Sequence, residues 1–94
     1  MNYYKPHRFV RLYPEVRACW DPQRHVIAVS WEGYSVELTR ALQHDIPRSL
    51  RWWNPTAQCW FVRDLWAAPL HQILRTHGEI RAWDVPETLE RKAS

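Results

Sequence analysis

The chain has 94 residues, of which 46% are hydrophobic and 24% charged, enough for one core and too few for a second. No run approaches the roughly 18 apolar residues of a membrane span, and the opening MNYYKPHRFVRLYP has no apolar stretch resembling a signal peptide. Membrane and secreted readings are therefore not first choices, and a cytoplasmic location is expected.

Thirteen basic residues, eleven of them Arg, stand against ten acidic ones for a net charge of +3. Residues 79–94 hold three basic and four acidic side chains, so residues 1–78 hold ten against six and carry the surplus. Arg suits a phosphate-bearing partner because its planar fork bonds two oxygens at once. The same bias also follows from genomic base composition, so charge alone does not decide.

Read in chain order, RFVRLYP alternates Phe9 and Val10 with Arg8 and Arg11 and would make an extra strand. Next comes an internal repeat. Trp20-Asp21-Pro22 recurs as Trp53-Asn54-Pro55 at an offset of 33, and Val29 recurs as Val62. Asp-Pro and Asn-Pro start turns, since the Asx side chain bonds its own backbone while Pro sets the next φ. Two hairpins are predicted, Val16–Trp20 with His25–Trp31 and Leu50–Trp53 with Cys59–Arg63.

A helix should follow each hairpin. The first has Ser35 as N-cap, Leu38, Ala41 and Leu42 on one face, and Pro47 as its stop. The second places Leu70, Ile73, Leu74 and His77 at helical spacing, starts near Ala68 after a loose turn, and ends at Gly78 as C′ residue. EIRAWDVP then alternates as a short edge strand, and ETLERKAS reads as a polar tail. The expected fold is α+β: two hairpin–helix repeats (ββαββα) forming an antiparallel sheet packed on helices, with room for extra terminal strands. Residues 1–86 form the domain, with repeat units of about 14–46 and 47–78, and 87–94 a flexible tail.

Strand alternation puts Leu50 and Trp52 on one face of the second hairpin and Arg51 and Trp53 on the other. Across the turn, Trp60 and Val62 share a face, and Cys59, Phe61 and Arg63 share its opposite. One face must pack on helices, and the other would show aromatic and Arg side chains to solvent. Candidate nucleic-acid contacts are Arg17, Arg24, Arg48, Arg51, Trp52, Trp53, Trp60 and Arg63, with Arg8 and Arg11 as extensions. Arg would bond phosphates and exposed rings would stack on bases. About four of the seven Trp should be structural, with Trp52 the better candidate for exposure. The bland alternative is that these Arg are solvated charges paired with Glu15, Asp21 and Asp64.

Catalysis has no residues to carry it. The five His are scattered, Cys19 and Cys59 have no CxxC partner, the carboxylates occur singly, and no Ser has a nucleophile-elbow context. A non-enzyme without metal or cofactor is expected.

The stretch Tyr34–Gly78 resembles the HARP-type module of Swi/Snf-related annealing helicases and its stand-alone bacterial and phage relatives. The residues that carry the likeness are Tyr34, Leu38, Ala41, Leu42, Ile46-Pro47, Arg51, Trp53-Asn54-Pro55, Trp60 and Val62. The resemblance implies a PUR-like fold and a structure-specific nucleic-acid-binding module acting in DNA repair or replication, on single-stranded or forked DNA. Where that family has Gly and two basic residues before its first Trp, this chain has Arg48-Ser49-Leu50-Arg51-Trp52. It also has no phosphate-binding glycine loop, so it is no motor. The expected partner is single-stranded or junction DNA, with RNA open. The alternative is a protein-interaction module, a phage or accessory factor docking on a host enzyme through a Trp-rich patch. Unpaired sheet edges leave a homodimer open.

Overall fold

The computed structural model describes residues 13–33 and 35–92. The expected N-terminal strand lies largely outside these residues, as does Tyr34. Among the described residues the elements follow one another as β1 (Glu15–Asp21), β2 (Val26–Trp31), α1 (Val36–Asp45), a 3-10 turn (Arg48–Leu50), β3 (Arg51–Asn54), β4 (Cys59–Arg63), a further 3-10 turn (Asp64–Trp66), α2 (Ala67–His77), β5 (Glu79–Asp84) and α3 (Glu87–Lys92).

The strands form one sheet in the order β3-β4-β2-β1-β5. Both hairpins are antiparallel, and β2 and β4 lie side by side, also antiparallel, with Ala28 opposite Phe61. β5 pairs with β1 in parallel. The sheet is therefore mixed, not antiparallel throughout. β4 already runs parallel to β1, and the chain crosses over through α2 before it re-enters the sheet, so β5 takes the same direction.

The two hairpin loops are built alike. The Asp21 Oδ1 accepts from the backbone N–H of Gln23 (3.0 Å) and Arg24 (3.3 Å), and the Asn54 Oδ1 accepts from those of Thr56 and Ala57 (both 3.0 Å). Each loop closes on a residue with positive φ, His25 at 59° and Gln58 at 56°. Ser35 caps α1 by accepting from the Leu38 N–H at 3.2 Å.

Register sorts the side chains into two faces. Val16, Ala18, Ile27, Val29, Trp60 and Val62 point to the helices and pack with Leu38, Leu42, Leu70 and Leu74. Each such Leu contributes about 1.5–3 kcal/mol by leaving water. Arg17, Cys19, Val26, Ala28, Ser30, Cys59, Phe61, Arg63 and Trp52 alternate onto the other face, which no described helix covers.

Two expectations are corrected at the C-terminal side. Gly78 ends α2, but with φ −146° and ψ 175° it is extended rather than left-handed. It is needed for space: a Cβ there would sit 2.5 Å from the Val16 Cγ2, because Glu79 bonds to the Pro14 carbonyl (2.8 Å) as β5 begins. Residues 87–92, expected as the start of a loose tail, form α3 with Leu89 buried in the core. Glu90 anchors α3, lying 2.9 Å from the His71 Nδ1 and accepting from the Trp83 indole N–H at 3.1 Å. His71 and Trp83 stack at 3.9 Å.

Candidate nucleic-acid interface

The open face of the sheet carries an aromatic and basic cluster centred on β3 and β4. Trp52 and Phe61 are cross-strand partners, and their rings meet edge to face at 5.8 Å. Arg63, on the same face, holds its guanidinium 5.8 Å from the Trp52 ring centre. Arg24 reaches from the first hairpin loop to lie 5.8 Å from the Phe61 ring. Arg63 also donates to the Arg24 carbonyl at 3.3 Å, which ties the two hairpins together at this point.

Phe61 is buried at the centre, while Trp52 keeps 40% of its surface exposed and Arg24 and Arg63 are exposed. The arrangement leaves one indole open to a planar partner, with two guanidinium groups beside it. Val26, Cys59 and Phe61 form a small apolar cluster under these side chains. Burial pushes the Cys59 thiol up from its ordinary range.

Beside the cluster runs a trough of about 390 Å³ floored by small side chains, Ala28, Ser30, Cys59 and Ala82, with Arg17 and Asp84 on its lining. Arg17 is exposed and has no ion-pair partner among the described residues. Acidic side chains share this face: Asp84, with the Cys19 Sγ 3.9 Å from it, and Asp21, which alternates with Arg17 and Cys19 along β1. Among the described residues, no three His, Cys, Asp or Glu side chains converge on a metal-sized site.

The structure thus brings Arg17, Arg24, Trp52 and Arg63 onto one face and leaves the other candidates elsewhere. Arg51 and Trp53 lie on the helix-bearing face of β3. Arg51 donates from Nε to the Ile46 carbonyl (2.9 Å) and from Nη2 to that of Gln43 (3.0 Å), capping the C-terminal end of α1. Its guanidinium lies 5.9 Å from the Trp60 ring. Trp60 is buried in the core, and Trp53 is 45% exposed at the sheet edge. Arg48 is exposed in the 3-10 turn that leaves α1.

Five of the seven Trp belong to the core or pack against it, and Trp52 and Trp53 are exposed. Of the acids expected to neutralise Arg, Asp21 meets the candidate Arg24 at 3.7 Å. Glu15 faces Arg81 at 3.5 Å. Asp64 is buried and accepts from the Trp20 indole. Strand alternation puts Phe61 on one face with Cys59 and Arg63; its part in holding Trp52 and Arg24 follows from register.

No protein-family model, curated protein or solved structure matches the chain. Among the described residues, no helix is long and apolar enough to cross a membrane.

Proposed function

We propose that this chain is a non-catalytic nucleic-acid-binding module that holds a single strand, or the single-stranded arm of a fork, on the open face of its sheet. Trp52 stacks on a base, and Arg63, Arg24 and Arg17 meet the phosphates on either side. The observation that carries this reading is the position of an exposed Trp52 among Arg side chains, with Arg63 5.8 Å from its ring, rather than on an apolar patch with the Arg elsewhere. A protein-docking surface built on Trp would favour the second pattern.

Base–aromatic stacking contributes about 1–3 kcal/mol per base and tolerates any sequence, so the expected preference is for strand state over sequence. The small-residue trough beside Arg17 gives the backbone a path across the strands. Arg51 is left out of the contact set because it lies on the helix-bearing face, with Nε and Nη2 bonded to α1 carbonyls.

The HARP-type likeness and its PUR-like, two-repeat fold belong to the same proposal. The register of β2 against β4 supports the repeat: moving each residue by 33 positions turns the Val29–Trp60 pair into the Val62–Ile27 pair. The matching hairpin loops support it as well.

The test is a tryptophan-fluorescence titration with a single strand, a blunt duplex and a fork at two salt concentrations. Quenching by the single strand or fork, weakened by salt and by Trp52→Ala or Arg63→Gln, is the expected result. No response to any of the three at low salt overturns the proposal and points to a protein partner.

A further inference from the structure

A second aromatic site lies on the other side of β3. Trp31, Trp53 and Trp60 line a cavity of about 300 Å³ together with Ser30, Thr39 and Gln58. It sits where the end of β2 and the first turns of α1 approach the second hairpin loop. Gly33, with φ +78°, turns the chain between them and leaves space where a Cβ would stand.

We infer that this cavity takes one unstacked nucleobase. The inference rests on the nucleic-acid reading in choosing a base as the planar ring.

Three observations favour a neutral planar ring. The Trp53 and Trp60 rings are 5.7 Å apart at 64°, so a ring that stacks on one of them presents its edge to the other. The volume is at the small end of ligand sites, suited to a single heterocycle. Among the described residues the lining holds three indoles and no charged side chain.

A cation is disfavoured. No carboxylate lines the cavity among the described residues, and the Arg51 guanidinium already lies 5.9 Å from the Trp60 ring. Polar groups for a base edge are present instead. Gln58 donates an amide N–H to the Pro55 carbonyl (2.9 Å), and its side-chain oxygen remains an acceptor of the kind an exocyclic amine needs. Thr39 adds a hydroxyl.

Trp52 and Trp53 are neighbours in sequence and point to opposite faces of an edge strand. A single strand crossing that edge would stack one base on Trp52 and seat another against Trp53.

The test uses adenosine and thymidine, which carry no phosphate and so do not depend on the Arg cluster. Two-dimensional NMR of the seven indole N–H groups, assigned with single Trp→Phe variants, reads the site directly. A saturable shift of the Trp31, Trp53 and Trp60 signals at roughly millimolar nucleoside, with Trp66 still, is the expected result. Trp53→Ala should weaken it by about fivefold or more, and Thr39→Leu, which fills the cavity from α1, should abolish it.

Unmoved signals, a uniform drift of all seven, or a response to tetramethylammonium in place of the nucleosides overturns the inference. An oligonucleotide that binds through Trp52 while nucleosides leave the cavity untouched sinks this inference alone. Nucleosides in the cavity without oligonucleotide binding sink the open-face reading alone.

Discussion

The Trp20 indole N–H donates to the Asp64 Oδ2 at 3.0 Å, joining β1 to the turn that follows β4, and Asp64 is the one buried charged side chain among the described residues. The His25 Nδ1 lies 3.7 Å from the same carboxylate. Asp64 therefore links both hairpins to the start of α2. Replacing it with Ala strands the half-buried Trp20 donor, and a lost buried partner costs about 1–3 kcal/mol. Urea denaturation should show Asp64→Ala losing stability in that range and Asp64→Asn, which keeps an acceptor, losing less.

Gly78 is the second place where one atom decides the packing. Gly78→Ala drives a methyl to within 2.5 Å of the Val16 Cγ2, between the end of α2 and the start of β5. Both neighbours are backbone or core, so relief requires strand movement. The expected loss is about 1–3 kcal/mol, as for other overpacked sites. A smaller loss in the Val16→Ala background, read by thermal unfolding of the four proteins in the cycle, identifies that contact as the cause.

The two thiols should separate cleanly. Cys19 is exposed and Cys59 is buried, and burial raises the pKa of Cys59 by disfavouring its thiolate. Cys19 should alkylate quickly in the folded protein, and Cys59 should need alkaline pH or denaturant, as followed by mass spectrometry. A raised folded value means that the folded state holds this proton more tightly than the unfolded chain. Its contribution is present below the ordinary thiol range and is lost as pH rises through the raised value. Equal alkylation of both thiols at neutral pH would contradict the buried position of Cys59.

Salt should report the phosphate contacts one by one. For a single strand, the slope of log affinity against log salt is about −0.7 per phosphate contact. Arg17→Gln, Arg24→Gln and Arg63→Gln should each flatten the slope by about that amount. Arg51→Gln should leave the slope unchanged, lowering thermal stability through the loss of its bonds to Gln43 and Ile46. A flattened slope in Arg51→Gln would place phosphate on the helix-bearing face instead.

Much of the architecture is local and was readable for that reason. Asp21 and Asn54 determine their own loops through side-chain bonds to the next backbone N–H groups, so Trp-Asx-Pro located both hairpins. Ser35, Pro47 and the Leu38–Leu42 spacing bounded α1 to within a residue. Leu89 was harder to read. A lone apolar residue in ETLERKAS has no periodicity to reveal it; α3 is held by Leu89 in the core and by Glu90 against His71 and Trp83.

The amino-acid sequence by itself determined that the chain is α+β, that its hairpins turn at Asp21 and Asn54, and that aromatic and Arg side chains alternate along the second hairpin. Alternation states which residues share a face but not which face the helices will cover, because that depends on how strands far apart in sequence line up. Tertiary structure made that choice when β2 paired with β4 and α1 and α2 packed over Ile27, Trp60 and Val62. The pairing buried Trp60 and turned Arg51 toward the carbonyls of α1. It left Trp52 and Arg63 together on the open side.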